Sequence, residues 1–525
     1  MGAVIVGAAL RLYQLPNQIL FGDEWHAIHA AANSGYFSIL STFGAADRSI
    51  PITLYYKILM DTVGLSETAI RTPFFVGGVL TVTILPIMVR PITGRTVSNI
   101  FAWLLALSPT LIFYSRFARP YAITTFFSFL ACLFFFRWWE TNARKEAIWY
   151  VLLTIATGYA LLVDLPFVLG PFLFYLVWSV IGKEKNRIQC LLKLAGLGLM
   201  TIVPLLILLA PPLYGDFSAI STKAGQSASG FSQLLSSFRI LTGMDQRTVV
   251  LVIVILASFG IIRMLIGLPV FTLFLMSLSL LQLTAVLWVQ PVGIDSPHIL
   301  SRYLLPLLPF LLLAVSTGIH AISSIFPIRF RKWAGVTIPM AFCVAFFWGG
   351  PVPAVSYQPN NGMSLMLLVH ALTGARYQRI LKDIPGFYKY LSKIPPDSVT
   401  VVEAPFPWQG NHLLLYQEVH GQKVIMGVTR ESAMSKGLHL KTVVVAEDLK
   451  SLKARKVDFL IFHRNLQNEV NIVLPAAASK SWDLRVLRTI FGNSVYEDHD
   501  IVVFDVSKSF VAQDFIEVEN PKEHL

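Results

Sequence analysis

The chain has 525 residues, of which 55% are hydrophobic and only 14% are charged. Its mean hydropathy is +0.63. In an ordinary soluble domain charged residues make up about 25% of the chain, well above the share found here. These values exclude a soluble enzyme, a disordered protein and a fibrous repeat. The 42 Lys and Arg outnumber the 30 Asp and Glu, which is typical of basic residues retained in cytoplasmic loops and does not require a nucleic-acid partner. The sequence therefore predicts a multi-span membrane protein that binds no nucleic acid.

A helix needs about 20 mostly apolar residues to cross the hydrocarbon core of a membrane. Eleven stretches meet or approach that requirement, and we predict eleven spans at 1–13, 73–91, 98–114, 119–138, 147–163, 165–181, 191–212, 248–266, 268–289, 301–325 and 333–350.

Basic residues concentrate in alternate loops, and short basic loops are typical of the cytoplasmic side. The residues concerned are Arg90, Arg95, Arg137, Arg144, Lys145, Lys183, Lys185, Arg187, Lys193, Arg263, Arg329, Arg331 and Lys332. The less basic loops at 14–72, 115–118, 213–247 and 290–300 then face outward. We expect the amino terminus in the cytoplasm and the carboxyl terminus outside. The outward loops carry no N-x-Ser/Thr sequon, which fits the inner membrane of a bacterium.

The composition changes at about residue 351, where prolines lead into a stretch of ordinary polarity with no further span. Short apolar runs there predict strands, and polar stretches at helical spacing predict the helices 376–393 and 446–456. The predicted strands are Val399–Val402, Lys423–Met426, Val443–Val445, Phe459–Phe462 and Ile501–Phe504. We predict an all-α membrane domain over 1–350, followed by a small α/β extracytoplasmic domain over 351–525.

The first outward loop, 14–72, carries two adjacent acids, Asp23 and Glu24, followed by His26 and His29. Carboxylates next to a membrane helix are costly unless they have a partner or a function. Helix capping by Asp23 is a simple alternative, and for an arbitrary protein it is the more common one. Glu24 with His26 or His29 could also bind a divalent metal ion, although the spacing is a poor zinc signature.

A second cluster lies in a very short outward turn, where Arg116, Arg119, Pro120 and Tyr121 follow one another closely. A guanidinium group matches the geometry of phosphate oxygens, so this turn could hold the phosphate of a lipid. The alternative is that both arginines only extend to lipid head groups at the membrane boundary.

The third cluster contains His298, Arg302 and Tyr303 at the outer end of a span, and Asp164 lies between two spans at the same level. An aromatic belt with an anchoring charge would also explain Arg302 and Tyr303, and a tight turn would explain Asp164. Taken together, acids, histidines and arginines from four outward loops converge at one membrane face. A site for a membrane-anchored phosphate ester would need such a set.

Three motifs occur in order at these positions: Asp23-Glu24, Tyr-Ser-Arg-x-Ala-Arg-Pro-Tyr-Ala at 114–122, and Arg-Tyr-Leu-Leu-Pro at 302–306. Over roughly residues 1–350 the chain resembles the GT-C integral-membrane glycosyltransferases. Among these it is similar to the bacterial proteins related to protein O-mannosyltransferases and to the lipid A aminoarabinose transferase. The resemblance implies transfer of a sugar from a polyprenyl-phosphate-linked donor to an acceptor hydroxyl, with inversion, at the outer face.

The same resemblance implies the roles of single residues. Asp23 would be the general base, and Glu24 would support it or help to hold a divalent metal ion. The residues expected around the donor phosphate are Arg116, Arg119, Tyr121, Arg302 and Tyr303, with His26, Asp164 and His298 as accessory groups. The acceptor would be a lipid, a glycan or a protein. A polysaccharide ligase or polymerase, a transporter or flippase, and a scaffolding subunit are the alternative functions.

Overall fold

The computed structural model describes two compact units. The first contains the described residues up to Val344, and the second contains those from Ile384 onward. The described ranges are 1–13, 15, 23–43, 49–181, 187–225, 227–244, 247–325, scattered positions in 333–344, 384–404, 413–428, 444–464 and 484–507. The predicted domain boundary at residue 350 lies outside them.

The first unit is helical throughout its described part. Its helices up to Ile325 are α1 (Gly2–Leu12), α2 (Glu24–Asn33), α3 (Tyr36–Ser41), α4 (Ile50–Thr62), α5 (Glu67–Thr93), α6 (Arg95–Leu107), α7 (Pro109–Tyr114), α8 (Tyr121–Thr141), α9 (Arg144–Ala160), α10 (Leu165–Ile181), α11 (Arg187–Ser221), α12 (Phe231–Thr242), α13 (Arg247–Gly267), α14 (Pro269–Val289), α15 (Pro297–Tyr303) and α16 (Leu308–Ile325). Short 3-10 turns, Leu162–Asp164 and Leu305–Leu307, precede α10 and α16.

Among the described residues, seven helical stretches are long and apolar enough to cross a membrane. They are α5, α8, α11, α13, α14, α10 with its preceding turn, and α16 with its preceding turn, and each overlaps a predicted span. The predicted spans 1–13 and 147–163 correspond to the shorter helices α1 and α9. The predicted span 333–350 lies mostly outside the described residues. The expectation of a polytopic helical membrane domain is therefore confirmed.

Two predicted spans are not continuous helices. The span 98–114 is divided into α6 and α7, because Pro109 has no N–H to donate to the carbonyl of Leu105. The guanidinium of Arg11, which is fully buried in α1, donates to the carbonyls of Leu105 at 3.0 Å and Ala106 at 3.1 Å. The break therefore leaves no unsatisfied carbonyl at these two residues.

The predicted span 301–325 is interrupted in the same way. It contains the end of α15, the 3-10 turn Leu305–Leu307 and then α16. Pro306 lies inside the turn and cannot donate a hydrogen bond to a preceding carbonyl. As a result, Arg302 and Tyr303 lie at a helix end and not inside a continuous membrane helix.

Glycines permit close contacts between helices of the first unit. A Cβ atom on Gly260 of α13 would lie 1.8 Å from the carbonyl oxygen of Ala314 in α16, and one on Gly318 would lie 2.1 Å from that of Leu256. Small residues at a crossing let two membrane helices approach at backbone distance. A Cβ on Gly78 of α5 would likewise meet the Ser115 hydroxyl at 2.0 Å, so Gly78 is needed where the turn after α7 packs on α5.

The second unit is an α/β domain, as expected. Its strands are β1 (Thr400–Ala404), β2 (Lys423–Val428), β3 (Val444–Val445), β4 (Phe459–His463), β5 (Tyr496–Glu497) and β6 (Ile501–Asp505), and its described helices are α17 (Gly386–Leu391), α18 (Leu413–His420), α19 (Leu449–Ala454) and α20 (Leu484–Phe491). The sheet order is β3-β2-β1-β4-β6-β5, with β1 to β4 parallel and β6 antiparallel to β4.

All five predicted strands of the second unit are present. β5 and the helices α18 and α20 were not predicted from the sequence. The helix predicted at 446–456 corresponds to α19, and α17 lies within the helix predicted at 376–393, whose first part is outside the described residues. Alternate residues of β1 and β4 contribute to two apolar clusters, one on each face of the sheet, so the sheet is covered on both sides.

Candidate active site

A cavity of about 470 Å³ lies in the first unit, where the ends of several helices meet. Its wall carries five titratable or basic side chains, from Asp23, His26, Arg119, Lys223 and Arg302. Most of the other lining groups are apolar or aromatic, and they include Phe43, Ile50, Tyr121, Leu162, Pro166, Ile220, Val286, Val289, Ile299 and Tyr303. The cavity thus combines a few charges with an apolar wall.

Asp23 lies immediately before α2, but its side chain does not cap that helix. Its carboxylate accepts a hydrogen bond of 2.7 Å from Arg302 Nη1, and Nε2 of His26 lies 3.7 Å from the other oxygen. The side chain is 37% exposed and lines the cavity. The helix-capping alternative for Asp23 therefore does not describe this structure.

Electrostatics keeps Asp23 ionised. Burial by itself would raise the pKa of its carboxyl, but His26 and the positive charges of Arg302 and Arg119 outweigh burial. The pKa of Asp23 is therefore held well below its usual range. At neutral pH Asp23 carries a negative charge and can accept a proton.

Two arginines accompany Asp23 in the cavity wall. Arg302 lies 5.7 Å from the ring centre of Tyr121 and 5.8 Å from that of Tyr303, so both rings face its cation. Arg119 is only 5% exposed, and its Nη1 lies 3.5 Å from the backbone oxygen of Asp23. Within the described residues the Nε atoms of both arginines have no hydrogen-bond partner. Because both arginines line the cavity, their positive charge acts on an anion bound there.

Glu24, the neighbour of Asp23, is fully buried and does not line the cavity. Its carboxylate accepts hydrogen bonds from Arg71 Nη2 at 2.9 Å and Nε at 3.2 Å, and from the backbone N–H of Ala118 at 2.7 Å. These bonds tie the start of α2 to α5 and to the turn that carries Arg119. Arg71 was not identified from the sequence. The available signal was a single arginine at the start of an otherwise apolar span.

Arg116 was expected next to the donor phosphate, but the structure does not bring it to the cavity. Its side chain is 1% exposed, and Nη1 lies 3.5 Å from the carbonyl oxygen of Leu10 in α1. The turn between α7 and α8 directs Arg116 into the helix packing and Arg119 to the cavity. The two arginines of this motif thus occupy different environments.

The candidate metal ligands do not form a cluster. Glu24 is engaged by Arg71, the side chain of His26 is 45% exposed in the cavity wall, and His29 packs against Trp25 with ring centres 5.6 Å apart. No group of three His, Cys, Asp or Glu side chains placed to hold a metal ion occurs in the part of the chain that the structure describes.

Of the accessory residues, His26 lines the cavity, whereas Asp164 and His298 lie beside its wall. Asp164 is 1% exposed, and its neighbours Leu162 and Val163 line the cavity. His298 Nδ1 lies 2.8 Å from the hydroxyl of Ser296. Burial and the charge of Arg302 lower the pKa of His298 to about 4, so this imidazole is neutral at neutral pH.

Lys223 is a further cavity residue that the sequence analysis missed. It follows α11, and its carbonyl accepts from the N–H of Val292 at 3.0 Å, which joins the segment after α11 to the segment before α15. The signal in the sequence was weak, since Lys223 is one basic residue in a long loop without a motif. Its side chain adds a third cation to the wall that contains Arg119 and Arg302.

Comparisons with known proteins agree with the expected fold. Residues 48–208 match the family model described as dolichyl-phosphate-mannose-protein mannosyltransferase. The structure is similar to ArnT from Cupriavidus metallidurans in the apo state, with a TM-score of 0.55 and 12% identity over 98% of both chains. It is also similar to the same protein bound to undecaprenyl phosphate, with a TM-score of 0.53 and 12% identity over 97% of this chain and 98% of that one. No curated protein matches the chain in sequence. The chain is thus a membrane protein with the fold of these structures.

Proposed function

We propose that the protein is a glycosyltransferase that moves a sugar from a polyprenyl-phosphate-linked donor to an acceptor hydroxyl, with inversion. The observation that carries this proposal is the ionised Asp23, paired with Arg302 and close to Arg119, in the wall of a largely apolar cavity. A volume of about 470 Å³ lies within the range of about 300–1,000 Å³ that is common for small-molecule sites. The structural likeness to a protein bound to undecaprenyl phosphate adds support.

The proposed reaction is a single displacement at the anomeric carbon of the donor sugar. The acceptor oxygen forms the new bond to this carbon as the bond to the phosphate oxygen breaks, and polyprenyl phosphate leaves with the electron pair. Asp23 takes the proton of the acceptor hydroxyl, and a well-placed general base accelerates such a step by about 10²–10⁴-fold. No covalent intermediate with the protein is needed.

Arg119 and Arg302 are the proposed phosphate ligands. Negative charge develops on the leaving phosphate, and fixed guanidinium groups next to an apolar wall stabilise that charge more strongly than water does. The rings of Tyr121 and Tyr303 both contact the guanidinium of Arg302 and limit its orientations. We assign Lys223 to the same cationic wall.

Donor binding is proposed to activate the base. In the structure the guanidinium of Arg302 is shared with Asp23. The phosphodiester of the donor carries one negative charge, and when bound at Arg302 and Arg119 it offsets part of the positive charge that depresses the pKa of Asp23. Because removal of a nearby positive charge raises the pKa of a carboxyl, Asp23 becomes a stronger base when the donor is in place.

Glu24 is proposed to act indirectly. Its buried contacts with Arg71 and the N–H of Ala118 fix α2 relative to the turn that holds Arg119. This arrangement sets the distance between the base and one phosphate ligand. We therefore propose a positioning role for Glu24 and not direct contact with the substrate.

The decisive experiment uses the purified protein with a labelled undecaprenyl-phosphate-linked sugar and a membrane extract as the source of acceptor. We expect release of undecaprenyl phosphate and transfer of label to one lipid, glycan or protein fraction. Movement of the donor from one leaflet of a vesicle membrane to the other, with its sugar–phosphate bond intact, would instead identify a transporter. In the proposed bacterial inner-membrane topology the site and the second unit face outward, so reporter fusions after residues 185 and 400 should lie on opposite sides.

A further inference from the structure

We propose that Gln282 is the positioning residue that aligns two walls of the cavity, an inference that rests on the proposed function. Gln282 lies within α14, is fully buried, and its own side chain does not line the cavity. Its amide contacts backbone atoms of three residues from two other segments. A buried polar side chain inside a membrane helix is costly and faces a partner or a functional site.

The first wall is the helix interruption before α10, where the 3-10 turn Leu162–Asp164 lies. Gln282 Nε2 donates to the carbonyl of Val163 at 2.9 Å, and Gln282 Oε1 accepts from the N–H of Phe167 at 3.1 Å. Val163 and Phe167 are four residues apart, which is the spacing of a helical backbone hydrogen bond. The side-chain amide therefore occupies the place of that bond. These bonds fix the position of the turn Leu162–Asp164 at the cavity wall.

The second wall is the end of α15. Gln282 Nε2 also donates to the carbonyl of Tyr303 at 3.0 Å. The N–H of Leu307, four residues further on, bonds to Leu304, and Pro306 has no N–H, so a side-chain amide donates to the Tyr303 carbonyl here. Tyr303 lines the cavity directly after Arg302, so this bond fixes the backbone from which the proposed phosphate ligand projects.

The single amide of Gln282 thus connects the turn that contains Asp164 with Tyr303, the residue after Arg302. Loss of either bond frees a wall of the cavity to shift. A displacement of about 1 Å at a reactive site can lower its performance by about 10²-fold. We expect Gln282 to act on donor binding through Arg302 and through the wall formed by Leu162 and Val163.

The experiment compares Gln282→Leu with Tyr150→Phe as a matched control. Tyr150 of α9 is also fully buried, and its hydroxyl donates to the carbonyl of Val168 at 2.8 Å. Val168 belongs to α10, the helix that Gln282 also contacts through Phe167. Neither Tyr150 nor Val168 lines the cavity. Binding of undecaprenyl phosphate and thermal unfolding are measured for the wild type and both variants. We expect Gln282→Leu to bind about 10-fold or more weakly than the control at a temperature at which both variants remain folded.

Gln282→Glu supplies a readout that a purely structural role would not change. When ionised, the introduced carboxyl faces the carbonyls of Val163 and Tyr303 without a hydrogen to donate. When protonated it regains one donor, so its affinity deficit relative to the wild type should shrink as the pH falls. Ionisable residues on the packed segments are Asp164 on one side and Arg302 and Tyr303 on the other, and they are the same in both proteins. This arm also applies if Gln282→Leu does not fold.

The outcomes separate the two proposals. A deficit specific to the Gln282 variants, with the pH response of Gln282→Glu, supports the positioning role. If the wild type binds undecaprenyl phosphate but the Gln282 variants match Tyr150→Phe at every pH, the positioning role is refuted and the proposed function stands. If the wild type itself does not bind undecaprenyl phosphate, the proposed function is refuted.

Discussion

Asp23→Asn is the most direct test of the proposed base. The substitution keeps the size of the side chain and an oxygen that Arg302 can still contact, but it removes the ability to take up a proton at neutral pH. The Asp23 side chain makes no cap hydrogen bond, so α2 should lose no capping interaction. The Asp23–Arg302 pair is partly exposed, and such pairs contribute about 0–1 kcal/mol to stability. We expect little change in folding.

The effect on turnover should be much larger. Removal of a general base slows a reaction by about 10²–10⁴-fold, which corresponds to about 3–5 kcal/mol in the activation barrier. This change exceeds the expected loss of stability several-fold. Donor affinity should persist, because Arg119 and Arg302 are unchanged. Expression, undecaprenyl phosphate binding and sugar transfer are therefore measured on the same preparation.

Asp61→Asn is the matched control for this variant. Asp61 belongs to α4, is 41% exposed, and pairs with Lys57 at 3.3 Å and with the hydroxyl of Tyr36 at 2.8 Å. It has a similar exposure and a similar cationic partner, but it does not line the cavity. Asp61→Asn should retain full transfer. Full transfer by Asp23→Asn as well would show that the base is elsewhere, and Asp164 would be tested next.

Three further predictions concern the same region. Arg119→Ala should weaken donor binding by about 1.5–3 kcal/mol, and Arg119→Lys should recover only part of this loss, because lysine lacks the planar fork; equal donor affinity in all three proteins would remove Arg119 from the site. Glu24→Gln should lower the free energy of unfolding by about 3–5 kcal/mol, since Arg71 would remain buried without its counter-charge, and an unchanged unfolding temperature would contradict the anchoring role. Because Asp23 acts only when deprotonated, activity should be lost as the pH falls. On the acid side, kcat/KM for the donor reports the free enzyme and should fall only at a pH below the usual aspartate range. The acid-side fall in kcat reports the enzyme with donor bound and should occur at a higher pH, because the bound phosphate offsets positive charge of the arginines. Coincident acid limbs would refute activation by the donor.

The position of the site could be predicted from the sequence, because topology alone brings it together. Asp23 and Arg302 are 279 residues apart and still form a hydrogen bond. Asp23 was predicted in an outward loop and Arg302 at the outer end of a span, and the outer ends of membrane helices meet at one face. Arg119, Tyr121 and Tyr303 lie at the same cavity for that reason. The alternation of basic loops was sufficient for this part of the prediction.

The direction of individual side chains could not be predicted in this way. Asp23 and Glu24 are adjacent, and consecutive residues at the start of a helix point about 100° apart, so only one of them can face the cavity. Glu24 points inward because Arg71 is available as a partner at the start of α5. Arg116 and Arg119 diverge for a similar reason, since one contacts α1 and the other contacts the backbone of Asp23. These choices depend on partners that are distant in the sequence.

Helix interruptions were missed because hydropathy does not register a proline within an apolar run. Pro109 and Pro306 divide two predicted spans, and each break exposes carbonyls that need donors. Arg11 and Gln282 supply those donors from other helices. Neither residue belongs to a sequence motif, so their roles become visible only in the structure, where the carbonyls at the two helix interruptions are located.

The two acid–arginine pairs near the start of α2 differ in a way that bears on function. Glu24 and Arg71 are both fully buried, so separating them would leave a charge without water or a partner. Asp23 and Arg302 have side-chain exposures of 37% and 15%, so solvent can replace either partner, and a phosphate group can replace Asp23 at Arg302, at much lower cost. The proposed mechanism requires a pair of the second kind, because Arg302 would exchange the carboxylate of Asp23 for the phosphate of the substrate on every turnover. The burial of the neighbouring pair keeps the backbone of Asp23 in place while that exchange occurs.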